Sequence, residues 1–88
     1  MMGFEYESSI IERIAKHPNT PIGMLEKLAF EKYPEITRYT QNNASVRQKI
    51  RVSIASNLNT RIYILEEILR TSDDYVRKIA KKNLKHKT

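Results

Sequence analysis

The chain states one phrase twice. It reads IAKHPNTPI from Ile14 to Ile22 and IASNLNTRI from Ile54 to Ile62, with five of nine positions identical. Each copy carries an Asn-Thr pair with apolar residues on both sides. Asn and Thr favour turns because their side chains bond to nearby backbone groups. A phrase that turns the chain the same way twice implies two similar helix pairs. One such pair leaves an apolar face uncovered, and a second pair stacked on it buries that face.

Apolar spacing supplies the helices. Ile10, Ile14 and Ala15 recur at helical intervals in SSIIERIAKH, with Ser9 and Glu12 at the spacing of a capping box. Pro18 then ends the helix, because the residue before a proline disfavours helical angles. The next helix opens at NTPIGMLEKLA, with Thr20 as N-cap, Pro21 at its first position and Ile22, Leu25, Leu28 and Ala29 as its inner face. KYPEITRYTQNNAS breaks the pattern and reads as a loop, with a single helical turn from Glu35 to Tyr39. SVRQKIRVSIASN resumes, with Ser45 as cap, Val46, Ile50 and Ile54 inside, and Asn57 as a left-handed stop. Thr60 caps RIYILEEILR, with Ile62, Leu65, Ile68 and Leu69 inside. Ser72 caps TSDDYVRKIAKKNLK, whose Val76, Ile79 and Ala80 point inward. Its acidic start and basic end suit the helix dipole.

Aligned on the residue that ends the first helix of each pair, both copies read I-A-x-(H/N)-x-N-T-x-I-x-x-L-E-x-(L/I). VRKIAKKNL, from Val76 to Leu84, begins a looser third copy. This pattern resembles the leucine-rich repeat variant (LRV) family, whose phrase is close to V-R-x-x-V-A-x-N-P-x-T-P-x-x-x-L-x-x-L-A. Ile14, Ala15, Pro18, Thr20, Pro21, Leu25, Leu28 and Ala29 match in the first copy. Arg51, Ile54, Ala55, Asn57, Thr60 and Leu65 match in the second. His17 stands where the family has Asn, and Leu58 and Arg61 stand where it has Pro. The resemblance implies an all-α fold: a short right-handed solenoid of about two and a half units over residues 1–88, its second helices α or short 3₁₀. An irregular segment at about 32–45 separates the first two copies. Armadillo and HEAT-like helical repeats are the neighbouring architectures. The last unit lacks its second helix, so an apolar edge is expected near Ile79 and Leu84.

Composition narrows the function. The chain has 88 residues, no Cys and two widely separated His. Thiolate metal sites, cysteine-ligated clusters and disulfides are excluded, and neither His has metal-like spacing. No run approaches the roughly 18 apolar residues of a membrane span. MMGFEYESSI lacks the blocks of a signal peptide, and a cytoplasmic location is expected. Asp73-Asp74 and Glu66-Glu67 are adjacent pairs, and adjacent residues on a helix do not face each other. No acid, base or nucleophile cluster emerges, so no enzyme and no cofactor is expected.

Two binding readings remain. The first is a protein-interaction scaffold, engaging another protein or a copy of itself. Tyr33, Tyr39, Tyr63 and Tyr75, with Leu84, are its candidate contacts, because Tyr is enriched at interfaces. The alternative uses charge. Residues 1–44 carry five basic and six acidic side chains, whereas residues 45–88 carry eleven and four. Arg47 and Arg51 share one helical face, and Arg77, Lys81 and Lys85 follow the same step, widened by Lys78 and Lys82. Together these seven would make a strip for nucleic-acid phosphates.

Overall fold

Both copies of the phrase form a turn between two α-helices. The computed structural model describes residues 10–32, 34 and 43–87. Residues 10–16 are helical and constitute α1. The others are α2 (Ile22–Ala29), α3 (Ala44–Ser56), α4 (Ile62–Thr71) and α5 (Asp74–Lys87). No strand occurs among the described residues, so the fold is all-α. The second helix after each turn is α rather than 3₁₀. The Ser9 cap, the turn from Glu35 to Tyr39 and most of the irregular segment at 32–45 lie outside the described residues.

The two turns carry the same bonds. Thr20 N–H donates to the His17 carbonyl at 3.2 Å, and Thr60 N–H to the Asn57 carbonyl at 3.0 Å. Asn19 N–H donates to His17 Nδ1 at 3.0 Å, and Asn59 N–H to Asn57 Oδ1 at 2.8 Å. The ring nitrogen of His17 thus does the work of an Asn carbonyl. The carbonyls of Pro21 and Arg61 then each accept two amides of the following turn, from Met24 and Leu25 or from Ile64 and Leu65.

Thr20 and Thr60 are not N-caps. Pro21 and Arg61 occupy those positions, without a side-chain cap bond. Pro21 therefore precedes the helix rather than starting it. The extended backbone at 21 and 61 leaves each Thr one residue outside the cap, near the last turn of the preceding helix. A hydroxyl both donates and accepts, and here it donates backwards, Thr20 to the Ile14 carbonyl and Thr60 Oγ1 to the Ile54 carbonyl at 2.7 Å. Thr60 is fully buried. Thr60→Ala should destabilise the protein by about 1 kcal/mol in urea denaturation, with Thr60→Ser retaining most of the bond. An Ala variant as stable as the parent would show that the bond contributes nothing.

Other caps differ by a residue or two. Asn43, not Ser45, caps α3, its side chain accepting from Val46 N–H at 3.2 Å. Asp73, not Ser72, caps α5, accepting from Val76 N–H at 3.1 Å. A carboxylate suits that positive helix end better than a hydroxyl. Asn57 is extended, with φ −79 and ψ 119, rather than left-handed. The left-handed position is Glu31, with φ 55, just after α2. Lys32 N–H bonds the Lys27 carbonyl at 2.8 Å and Glu31 N–H the Leu28 carbonyl at 3.3 Å, which is a Schellman ending with Glu in glycine's usual place.

The helix α3 is central, packing against α2, α4 and α5, and α4 also packs against α2 and α5. Leu25, Ile54, Ile64, Leu65 and Ile68 are fully buried, with Leu28, Ile50, Val76 and four alanines completing the core. Ile14 and Ile62 were expected inside, but are 37% and 44% exposed. On α4 the buried stripe runs through Ile64, Leu65 and Ile68, which leaves Ile62 at its rim. Ile10 and Leu69 are half-buried. Ile79 and Leu84 pack half-buried against the core, so they form no exposed apolar edge.

Candidate interaction surfaces

An asparagine ladder links the helix ends. Asn57 Nδ2 donates to the Ala15 carbonyl at 2.8 Å and the His17 carbonyl at 3.0 Å. Asn83 Nδ2 donates to the Ala55 carbonyl at 2.8 Å and the Asn57 carbonyl at 2.9 Å. Each amide thus bridges the carbonyls at the corresponding position and two residues before it, one copy earlier. Asn59 Nδ2 adds a bond to the Pro18 carbonyl at 2.6 Å, and Lys87 Nζ one to the Leu58 carbonyl at 2.7 Å. Asn83 thus stands to Asn57, 26 residues before it, as Asn57 stands to His17. Val76 and Ala80 then correspond to Ile50 and Ile54, and all four are buried. The chain does not turn at Asn83: α5 continues to Lys87, and the buried Asn83 Oδ1 has no hydrogen-bond partner.

The seven candidate cations separate into two groups. Arg51 is 4% exposed and belongs to the interior. Its guanidinium donates to Thr71 Oγ1 at 2.6 Å, Ser72 Oγ at 3.1 Å and Glu31 Oε2 at 3.3 Å. Arg47, half-buried, reaches the same Glu31 oxygen at 2.6 Å. Burial alone would raise the Glu31 carboxyl, but the hydrogen bond and charge of Arg47 and the charge of Arg51 outweigh it and hold the group below its ordinary range. Burial and the Arg47 charge lower Arg51, and Glu31 opposes them. The spacing of Arg47 and Arg51 gives no sign that the face they share points at a carboxylate.

Arg77, Lys78, Lys81, Lys82 and Lys85 are all exposed on α5. At 3.6 residues per turn they cover an arc of roughly 140°, opposite the buried Val76, Ala80 and Asn83. Arg77 approaches Asp74 at 4.0 Å, an exposed pair of little energetic weight.

The aromatic candidates do not gather. Tyr33 and Tyr39 lie outside the described residues. Tyr75 is 61% exposed on α5, and Leu84 is half-buried. Tyr63 is half-exposed and donates to Glu26 Oε1 at 2.6 Å. That hydrogen bond raises its phenol above the ordinary range. Tyr63 also lines a shallow depression with Ile22, Arg61, Ile62, Glu66 and Lys87, at the starts of α2 and α4 and the end of α5. The Ile residues that line it occupy equivalent positions in the two copies, and no aromatic signal marks them in the sequence. Among the described residues no cluster of three His, Asp or Glu could hold a metal. No described helix is long and apolar enough to cross a membrane. No family model, curated protein or solved structure matches this chain.

Proposed function

We propose that the chain is a non-enzymatic interaction module, a short helical-repeat scaffold similar to the LRV family that binds another protein or a copy of itself in the cytoplasm. The ladder supports this reading most directly. Asn57 and Asn83 occupy corresponding places, and each reaches back to the preceding copy, as neighbouring units of a solenoid do. The polar side chains that could serve chemistry are engaged in structure: His17 and Thr60 within their own turns, Asn57 and Asn83 between copies, and Arg51 with Glu31, Thr71 and Ser72. What is left for function is surface. The depression at the starts of α2 and α4 offers Ile22, Ile62 and Tyr63 as an apolar floor with charged edges, the composition of a protein-docking patch.

Ile62→Asp combined with Tyr63→Asp tests this surface. Both side chains are about half exposed, so the variant should keep its helical circular dichroism. The parent should self-associate in sedimentation, or retain a defined protein partner from nuclease-treated native extract, and the variant should lose that species. A monomeric parent that retains nothing once nuclease has acted would refute the reading.

A further inference from the structure

A different face of the molecule carries a second kind of contact. The exposed side of α5 presents Arg77, Lys78, Lys81, Lys82 and Lys85 without an intervening apolar residue. From 77 to 85 the helix rises roughly 12 Å, so the charges lie in two rows about 6 Å per step. Their fields add. Glu66 and Glu67 are on α4 and Asp73 is bonded to Val76 N–H and Gln48; Asp74 is the one acid of the second half that shares this face, in the first turn at the N-terminal end of the rows. On the opposite side α5 buries Val76, Ala80 and Asn83.

We infer that this face of α5 docks on the phosphate backbone of duplex nucleic acid without reading its sequence. Charge complementarity selects a polyanion, and side-chain chemistry selects the duplex backbone. Four of the five groups are lysines, which act as point charges and lack the planar fork that reads guanine edges. Arg77, the fifth, lies beside Asp74. Single-strand binding relies on aromatic platforms for successive bases, and the arc between Arg77 and Lys82 contains none; Tyr75 lies beyond its edge. Arg47 and Arg51 are not part of the surface, because Glu31 holds both.

The test is a titration of the whole chain with labelled 20-base-pair duplexes of two unrelated sequences and with single strands, at several salt concentrations. Both duplexes should bind alike, with a dissociation constant of about 10⁻⁶ to 10⁻⁴ M at physiological salt and a steep log–log salt dependence. Lys78→Ala/Lys81→Ala/Lys82→Ala should reduce the salt slope by roughly two to three units. Lys16→Ala/Lys49→Ala removes exposed charge from other helices and should change the slope by less than about one unit. Equal effects per charge removed in the two sets would mean that net charge rather than α5 attracts the duplex, and would overturn the inference. Preference for single strands, discrimination between the duplexes, or no duplex binding at low salt would also overturn it.

Discussion

Asn57→Ala is expected to destabilise the protein by about 3 kcal/mol, a large share of the stability of so short a chain. The side chain is buried and makes three bonds: two amide donations to the Ala15 and His17 carbonyls, and one acceptance from Asn59 N–H. Truncation strips all three at once and leaves a cavity where water is scarce. The specific form of the prediction concerns histidine. At position 17 a ring nitrogen is adequate, because the group there only has to accept from Asn19 N–H, and no described helix precedes α1. At position 57 the side chain must also donate twice. His17→Asn should therefore be close to neutral, whereas Asn57→His should be nearly as damaging as Asn57→Ala. Urea unfolding of the three variants decides it. An Asn57→His protein as stable as the parent would mean that the ladder contributes little.

This asymmetry also explains what the sequence discloses. The repeat was legible because the turn is written in side chains that bond locally: Asn or His two residues before the accepted amide, and Thr three residues on. The direction of the Thr bond was not legible, since a hydroxyl suits both an amide ahead and a carbonyl behind. The ladder was not legible because its partners are 42, 40, 28 and 26 residues apart. The third match is looser because its Ile79-Ala80 pair lies one residue further from Asn83 than Ile54-Ala55 lies from Asn57. The inner face of α4 departs from expectation at Ile64, where the unbroken run Ile62-Tyr63-Ile64-Leu65 admits two stripes that differ by a small rotation. Among the basic residues, charge spacing alone cannot separate a solvated face from a pair aimed at Glu31. The five on α5 and the two on α3 have the same i, i+4 signature, and only the fold parts them.

Glu31 is the second site where one atom decides much. Glu31→Gln preserves its shape and removes its charge, leaving the buried Arg51 beside the Arg47 cation with Thr71 and Ser72 as its neutral partners. Breaking a buried pair from one side leaves an uncompensated charge. The Glu31 side chain is 29% exposed, so the loss should lie near the low end of that range, about 3 kcal/mol at pH 7. Glu31→Gly adds a control. It relieves a left-handed backbone that costs a non-glycine residue about 1 kcal/mol, yet it also loses both ion pairs, so it should remain less stable than the parent. The effect must depend on pH. The folded carboxyl lies below its ordinary value because the pull of Arg47 and Arg51 exceeds the penalty of burial. Its contribution is therefore complete above the unfolded value and disappears as pH falls through the lower, folded one. Glu67 also acts on Arg51 and supports its charge. The stability gap between parent and Glu31→Gln should be widest near neutrality and narrow steadily below the unfolded value of about 4.3. A gap that stays constant down to the acid transition would show that Glu31 holds α2 to α3 by shape alone, and that the two arginines do not need its charge.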